Sequence, residues 1–249
     1  MNIILFDKDE IKNGAVLLTD QRAEHIIKIL KSQPGTTLKT GIINGPSGTS
    51  TITRITGRTV ELSILDHCRQ PIPPPVDIIL ALPRPIMLKR VLAQMATFGV
   101  GRLFLINSNR VEKSFFSATL LQPEKIRQRL LAGLEQAGDT LLPQVSIVPR
   151  FRPFVEDSLP GLAKEYRAML VAHPDTGAGL ADLVPPPLSG RVLLVIGPEG
   201  GWIDFEVELL RRQGVRPFDL GPRILRVDSV IPSLLGQLDL LRHLCQTTP

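Results

Sequence analysis

"RVLLVIGPEGGWIDFEVELLRRQG", residues 191–214, decides the reading of the fold. Residues 192–196 are uniformly apolar and rich in β-branched side chains, the mark of a buried strand. Residues 203–212 follow helical spacing, with Asp204, Glu206 and Glu208 toward the positive N-terminal end. Between them lies Gly197-Pro198-Glu199-Gly200-Gly201. Such a turn serves either backbone geometry alone, through glycine's positive φ and proline's rigidity, or the holding of a ligand. A phosphate loop is excluded. A Walker loop needs Lys followed by Ser or Thr, whereas Trp202 and Ile203 stand here, and the glycines do not match G-x-G-x-x-G. Glu199 would also repel a pyrophosphate. A ligand at this turn carries hydroxyls or positive charge.

Outward from this stretch, apolar runs and amphipathic segments alternate. Strands are predicted at residues 77–82, 102–107, 145–148, 167–172, 192–196 and 216–220. Helices are predicted near 86–97, 123–137, 153–165, 203–213 and 232–244. Alternation of this kind predicts an α/β fold with a mostly parallel sheet covered on both faces. Ligands in such sheets sit beyond the carboxyl ends of the strands, where the opening turn lies.

Residues 2–65 read differently. Short runs at 2–6, 38–43, 50–55 and 59–65 are separated by turn signals such as "NGPSG" at 44–48. One helix interrupts them: Thr19 is its expected cap, Ile26, Ile27 and Leu30 its inner side, and Arg22, Lys28 and Lys31 its wet side. This predicts a small β-barrel over residues 1–70, of a kind that binds nucleic acid on a groove or loop surface. "QPIPPPVD" then supplies a stiff spacer at residues 71–76, leaving 77–249 for the larger domain.

Among the 249 residues, 43% are hydrophobic and 21% charged, a globular composition able to bury a core. No apolar run reaches the ~18 residues of a membrane span, and MNIILFDKDE lacks the basic start of a signal peptide. Cys68 and Cys245 have no metal-ligand spacing, so neither a metal nor a disulfide framework is expected. The expected setting is the cytoplasm. A net charge of +5, spread along the chain, permits an anionic partner such as RNA.

A second tight turn follows the next strand in "DLGPRILRVDSVIPSLLGQL", residues 219–238. Gly221-Pro222 turns the chain, Arg223 and Arg226 add charge, and Asp228 or Ser229 is the expected cap of a helix whose first turn tolerates Pro232. Two Gly-Pro turns after neighbouring strands predict a shared pocket walled by backbone amides and carbonyls.

"IGPEGGWIDFEVE" with "LGPRILRVDS" resembles the paired signature of the SPOUT-class RNA methyltransferases, and most closely the ribosomal RNA small-subunit methyltransferase E family. Further segments agree: "HIIKILKSQPGTTLKTG" at 25–41, "LKRVLAQMATFGVGRLFLINSNRVEKS" at 88–114 and "LEQAGDTLLPQV" at 134–145. The chain departs from the family pattern in three places. Val227-Asp228-Ser229-Val230 replaces a common Thr-Glu-Thr-Ala; Gly138 and Asp139 stand where an Arg often follows Glu135-Gln136; and "TFGV" lacks an acid before Gly99.

The resemblance implies a PUA-like barrel followed by an α/β domain with a deep trefoil knot at 190–245. It also implies a homodimer and S-adenosylmethionine-dependent methylation of N3 of a uridine in 16S ribosomal RNA. The last helix, with Ile231, Leu234, Leu235, Leu238, Leu241 and Leu244, offers an apolar face either to a second subunit or to the chain's own core. The implied cofactor wall is Ile196, Gly197, Pro198, Gly200, Gly201, Leu220, Gly221, Ile224 and Leu225. Removing the uracil N3 proton needs an anion stabiliser and an acceptor: Arg226 for the first, Glu199 or Asp228 for the second. Arg226 alternatively grips a phosphate, and Glu199 alternatively caps a helix. The RNA-facing candidates are Arg22, Lys28, Lys31, Lys89, Arg90, Arg110 and Arg223. Two other readings stay open: a SPOUT methyltransferase acting on transfer RNA, and a non-catalytic RNA-binding or ribosome-assembly protein.

Overall fold

Short turn-punctuated runs in the first seventy residues pair into a mixed six-stranded sheet, ordered β1-β4-β5-β6-β3-β2, in a computed structural model that describes residues 2–174 and 176–244. Its strands are β1 (Ile4–Phe6), β2 (Ile11–Lys12), β3 (Ala15–Leu18), β4 (Thr37–Ile42), β5 (Ser47–Thr56) and β6 (Thr59–Arg69). All pairings are antiparallel except β1 with β4. The β2–β3 hairpin, unforeseen in the sequence reading, turns on Asn13-Gly14, both at positive φ as a two-residue hairpin requires. Phe6, Leu18, Ile26, Ile52 and Leu62 fill the interior.

The helix in this unit corrects the sequence reading. Asp20, not Thr19, caps α1 (Gln21–Glu24), its carboxylate accepting the Arg22 amide at 2.9 Å. The next turn, His25–Ile29, is π-wound, with the Leu30 amide bonding the His25 carbonyl. Wider winding advances the apolar stripe by one residue. Ile26 stays buried, whereas Leu30 is exposed.

After the prolines comes a parallel six-stranded sheet, ordered β12-β10-β11-β7-β8-β9. It comprises β7 (Val76–Ala81), β8 (Arg102–Ile106), β9 (Gln144–Val148), β10 (Ala168–Ala172), β11 (Val192–Ile196) and β12 (Arg216–Phe218). β7 and β11 are buried throughout, as central strands covered on both faces must be. The principal helices are α2 (Pro85–Thr97), α3 (Pro123–Ala137), α7 (Asp204–Arg212) and α8 (Val227–His243). Short helices α4 (Phe151–Pro153), α5 (Leu159–Ala163) and α6 (Leu180–Leu183) lie between. A π turn, Phe154–Ser158, separates α4 from α5 where one helix over 153–165 was expected.

Two compact units result. The first runs through Pro73 and takes in Leu131–Leu142; the second holds Pro74–Leu130 and the chain from Pro143. α3 therefore begins in one unit and ends in the other. Within the first unit its last turn is fastened by the Asn2 amide donating to the Glu135 carbonyl at 2.7 Å, and beyond it Thr140 bonds the Gly45 carbonyl at 2.7 Å.

At the amino end of the parallel sheet, Asp77 is fully buried. Its carboxylate faces Arg102 Nε at 2.8 Å and Arg191 Nε at 3.2 Å, and accepts the Tyr166 hydroxyl at 2.7 Å. At the far end of the chain, α8 starts earlier than expected. Arg226 is its cap, and the Ser229 and Val230 amides both bond the Arg226 carbonyl, so neither Asp228 nor Ser229 caps the helix. Pro232 sits inside the helix and cannot donate to the Asp228 carbonyl. Gln94 of α2 supplies the missing donor, Nε2 to oxygen at 3.4 Å. Ile231, Leu234, Leu235, Leu238 and Leu241 are buried within the chain and only Leu244 is exposed, so this face is core rather than spare surface. Among the described residues no helix is long and apolar enough to cross a membrane. Cys245 lies outside the described residues; Cys68 is exposed.

Candidate active site

The two glycine turns leave the carboxyl ends of β11 and β12, with β10 between those strands. Ile196 is the last residue of β11, paired with Leu80 of β7 and buried. Gly197 faces the Trp202 indole so closely that a Cβ would lie 2.9 Å from Nε1. Its lack of a side chain is a packing requirement inside the protein. The Gly201 amide bonds the Pro198 carbonyl at 2.8 Å and Gly201 has φ +76°, closing the turn in a conformation that favours glycine. Glu199 points outward and pairs with Arg84, the cap of α2, at 3.4 Å.

One charged residue behind the turn is nearly inaccessible. Glu206 is 3% exposed. Its two oxygens accept the Asn109 amide at 2.7 Å and the Ile203 amide at 3.1 Å. Beside it, the Arg110 guanidinium donates to the Gly200 carbonyl, and its stem lies where a Gly200 Cβ would meet Cδ at 3.1 Å. Asn107 Oδ1, Ser108 Oγ and Trp202 Nε1 are buried with no hydrogen-bond partner.

The second turn is held from beneath. Asp219 accepts the Gly221 amide at 3.0 Å, the Gly177 amide at 3.0 Å and the Thr176 hydroxyl at 3.3 Å. These donors, the Gly221 amide foremost, hold its carboxyl below the ordinary range. Gly221 has φ +92°, and a Cβ there would meet nothing within 4 Å. Leu220 is half-buried, Leu225 is exposed, and Ile224 is 94% exposed. An uncovered apolar side chain thus lies beside open backbone.

Arg226 follows, with Nε 3.8 Å from Asp228 Oδ1, and Arg90 of α2 reaches Oδ2 at 4.0 Å. Helix α2 and its cap thus touch the first glycine turn through Arg84 at Glu199 and the start of α8 through Arg90 and Gln94 at Asp228. At ~1.5 Å rise per residue, Arg84 and Arg90 stand roughly 9 Å apart along the axis.

Of the basic residues, Lys89, Arg90, Arg110 and Arg223 are exposed in this unit. Lys28 and Lys31 are exposed in the first, Lys28 paired with Glu24 at 2.5 Å. Arg22 is a correction. Its side chain is 14% exposed, clamped by Glu10 at 2.6 Å and Asp20 at 2.7 Å, and it donates to the Leu5 carbonyl. It braces the first unit, its guanidinium donors all engaged within the chain. Arg84, Gln94, Asp219 and the bridging role of Glu206 escaped the sequence reading. Only Glu206 left a signal, an acid three residues beyond the helix cap.

The chain matches the RNA methyltransferase domain family over residues 70–238. It is 33% identical over 236 residues to the ribosomal RNA small subunit methyltransferase E of Treponema pallidum, covering 92% of this chain and 87% of that protein. Identity to ribosomal RNA small subunit methyltransferase E 1 of Borreliella burgdorferi is 24% over 230 residues, covering 92% and 93%. A Legionella pneumophila methyltransferase solved with bound S-adenosylmethionine superposes with a TM-score of 0.76 at 22% identity, covering 96% and 97%. The Neisseria gonorrhoeae ribosomal RNA small subunit methyltransferase E, also bound to S-adenosylmethionine, gives 0.75 at 20%, covering 96% and 98%. At those identities the structural likeness speaks for the fold. The sequence matches carry the further conclusion that this chain belongs to the ribosomal RNA small subunit methyltransferase E family.

Proposed function

We propose that the protein methylates N3 of a uridine in 16S ribosomal RNA of the small subunit, using S-adenosylmethionine. The carrying observation is the juxtaposition of an uncovered apolar turn, Gly221 to Leu225, with the exposed guanidinium of Arg226 and its partner Asp228. We take the segment 190–245 to form a trefoil knot, the first unit to be a PUA-like barrel, and the working form to be a cytoplasmic homodimer.

The residues present fit such a cofactor. Backbone at Gly221 is open, Ile224 and Leu225 offer apolar surface, and Glu199 at the other turn disfavours a phosphate but tolerates a cation. Ile196, Gly197, Pro198, Gly200, Gly201 and Leu220 complete the wall. When bound, S-adenosylmethionine supplies a methyl carbon already activated by its sulfonium, which leaves alignment and proton removal to the protein.

Uracil N3 lies on the Watson–Crick edge and carries a proton, so the base must be unpaired or flipped to be reached. Arg226 stabilises the negative charge that develops on the uracil as N3 loses its proton and gains the methyl carbon. Asp228 holds Arg226 by one face while Arg90 and Gln94 hold Asp228. Glu199, exposed and paired with Arg84 only at 3.4 Å, accepts the proton directly or through water. Lys89, Arg110 and Arg223 grip phosphates, as Lys28 and Lys31 do in the first unit.

The test is methyl transfer from labelled cofactor to small subunits lacking the modification, to naked 16S RNA and to transfer RNA, followed by nucleoside mass spectrometry. Label recovered as N3-methyluridine from the small subunit is the expected result. Label on transfer RNA would move the substrate, and no label on any RNA would leave a binding protein.

A further inference from the structure

We infer that Glu206 is a positioning residue for methyl transfer, acting through the two backbone amides it binds; this rests on the function proposed above. A carboxylate that is 3% exposed is costly to bury unless its oxygens are matched. Here the matches come from two different loops. One oxygen takes Asn109 after β8 at 2.7 Å, and the other takes Ile203 after β11 at 3.1 Å. Between β8 and β11 in the sheet lies β7, so the glutamate spans the mouth of a whole strand.

A second contact joins the same loops, the Arg110 guanidinium on the Gly200 carbonyl. Residues 107–110 and 197–203 are thereby held as one piece. On one side that piece presents Arg110 to RNA; on the other it carries Glu199 and the turn that walls the cofactor. Glu206 touches neither partner. Its task is to keep the turn and the arginine in register, so that the base and the methyl donor meet in line.

The substitution that isolates this task is Glu206→Gln, which keeps shape but turns an amide donor toward a backbone donor. Two measurements are made on the full chain. Hydrogen exchange reports the Asn109 and Ile203 amides; at least one loses protection in the variant while the amides of β11 keep theirs. Single-turnover methylation of unmodified small subunits, with both substrates saturating and at a temperature where circular dichroism is native, reports the rate. A loss on the order of 10²-fold is expected, the scale of a ~1 Å misplacement, with KM for RNA little changed. Glu206→Asp, one methylene short of spanning both amides, does not restore it. Glu208→Gln on the exposed side of α7 serves as control and leaves both readouts unchanged.

A merely structural glutamate would lower the unfolding midpoint yet leave the saturated rate of the folded variant intact. An active wild type with a Glu206→Gln rate within about twofold of it overturns the inference alone. Unaltered protection at both amides does the same. A wild type that transfers no methyl group removes the functional reading and the inference with it.

Discussion

At the amino end of the parallel sheet, Asp77 sits between Arg102 and Arg191; at the carboxyl end, Asp228 sits between Arg226 and Arg90. The chemistry is the same and the environment is not. Asp77 is wholly buried, its contacts run from 2.7 to 3.2 Å, and Tyr166 and the Arg102 amide complete its hydrogen bonds. Burial and then the Asp77 carboxylate push the Tyr166 hydroxyl far above its ordinary pKa, so it remains a donor. Asp228 is partly exposed, its arginines lie 3.8 and 4.0 Å away, and both guanidiniums face solvent. Short contacts around a wholly buried carboxylate hold the strands together. Long and unsaturated ones leave two arginines and an acid with capacity for something else.

The contrast can be broken most sharply at Asp77. Replacing it with Ala strands two arginines and a phenol, and the fold should lose about 3–5 kcal/mol in denaturant unfolding. Asp228→Ala should cost under ~1 kcal/mol by the same measure, as exposed pairs do. Equal losses would erase the distinction.

Arg226→Ala inverts the pattern. Stability should move within about 0.5 kcal/mol, while the methylation rate falls by ~10²–10³ with cofactor affinity nearly unchanged. Arg226→Lys should recover little, since an ammonium lacks the guanidinium fork. If saturating RNA restores the full rate, Arg226 grips phosphate and does no more.

Gly201→Val sharpens the same comparison from the side of the turn. A β-branched residue at φ +76° carries a strain of roughly 1–2 kcal/mol and should weaken S-adenosylmethionine binding in calorimetry. Unchanged affinity would take this turn out of the cofactor wall.

Acid should produce the smallest effect. The Asp219 carboxyl is held below its ordinary range, first by the Gly221 amide. Its contribution is therefore complete above the ordinary carboxylate pKa and is lost as pH falls through the lowered value. Protection of the Gly221 and Gly177 amides should drop only in acid below the ordinary carboxylate range, and Asp219→Asn should leave them weakly protected at neutral pH too.

How far the sequence spoke depended on the range of the forces involved. β11 and α3 fall where an apolar run and a leading proline put them, because each is decided by its own residues. The carboxyl end of β12 came out short, since it ends at Phe218 and releases Asp219 and Leu220 into the turn. The burial of Arg22 was lost to sequence reading because it depends on Glu10, twelve residues away, closing on it. The glycine motifs placed both turns at the carboxyl ends of their strands, where they lie. They could not reveal that Glu206 reaches Asn109, or that Gln94 answers the carbonyl freed by Pro232, since those partners meet only after the sheet has ordered its strands.

The path of α3 bears on how the chain can be made. Residues 131–142 complete the first unit, yet they leave the ribosome after β7, α2 and β8 of the second have emerged. At ~5–20 residues per second, the first unit waits several seconds beyond its last strand for the Glu135 and Thr140 contacts that fasten it. Synthesis thus cannot finish the units in order. A fragment beginning after the prolines would carry all of α3 but leave behind Asn2 and Gly45, the hydrogen-bond partners at its carboxyl end.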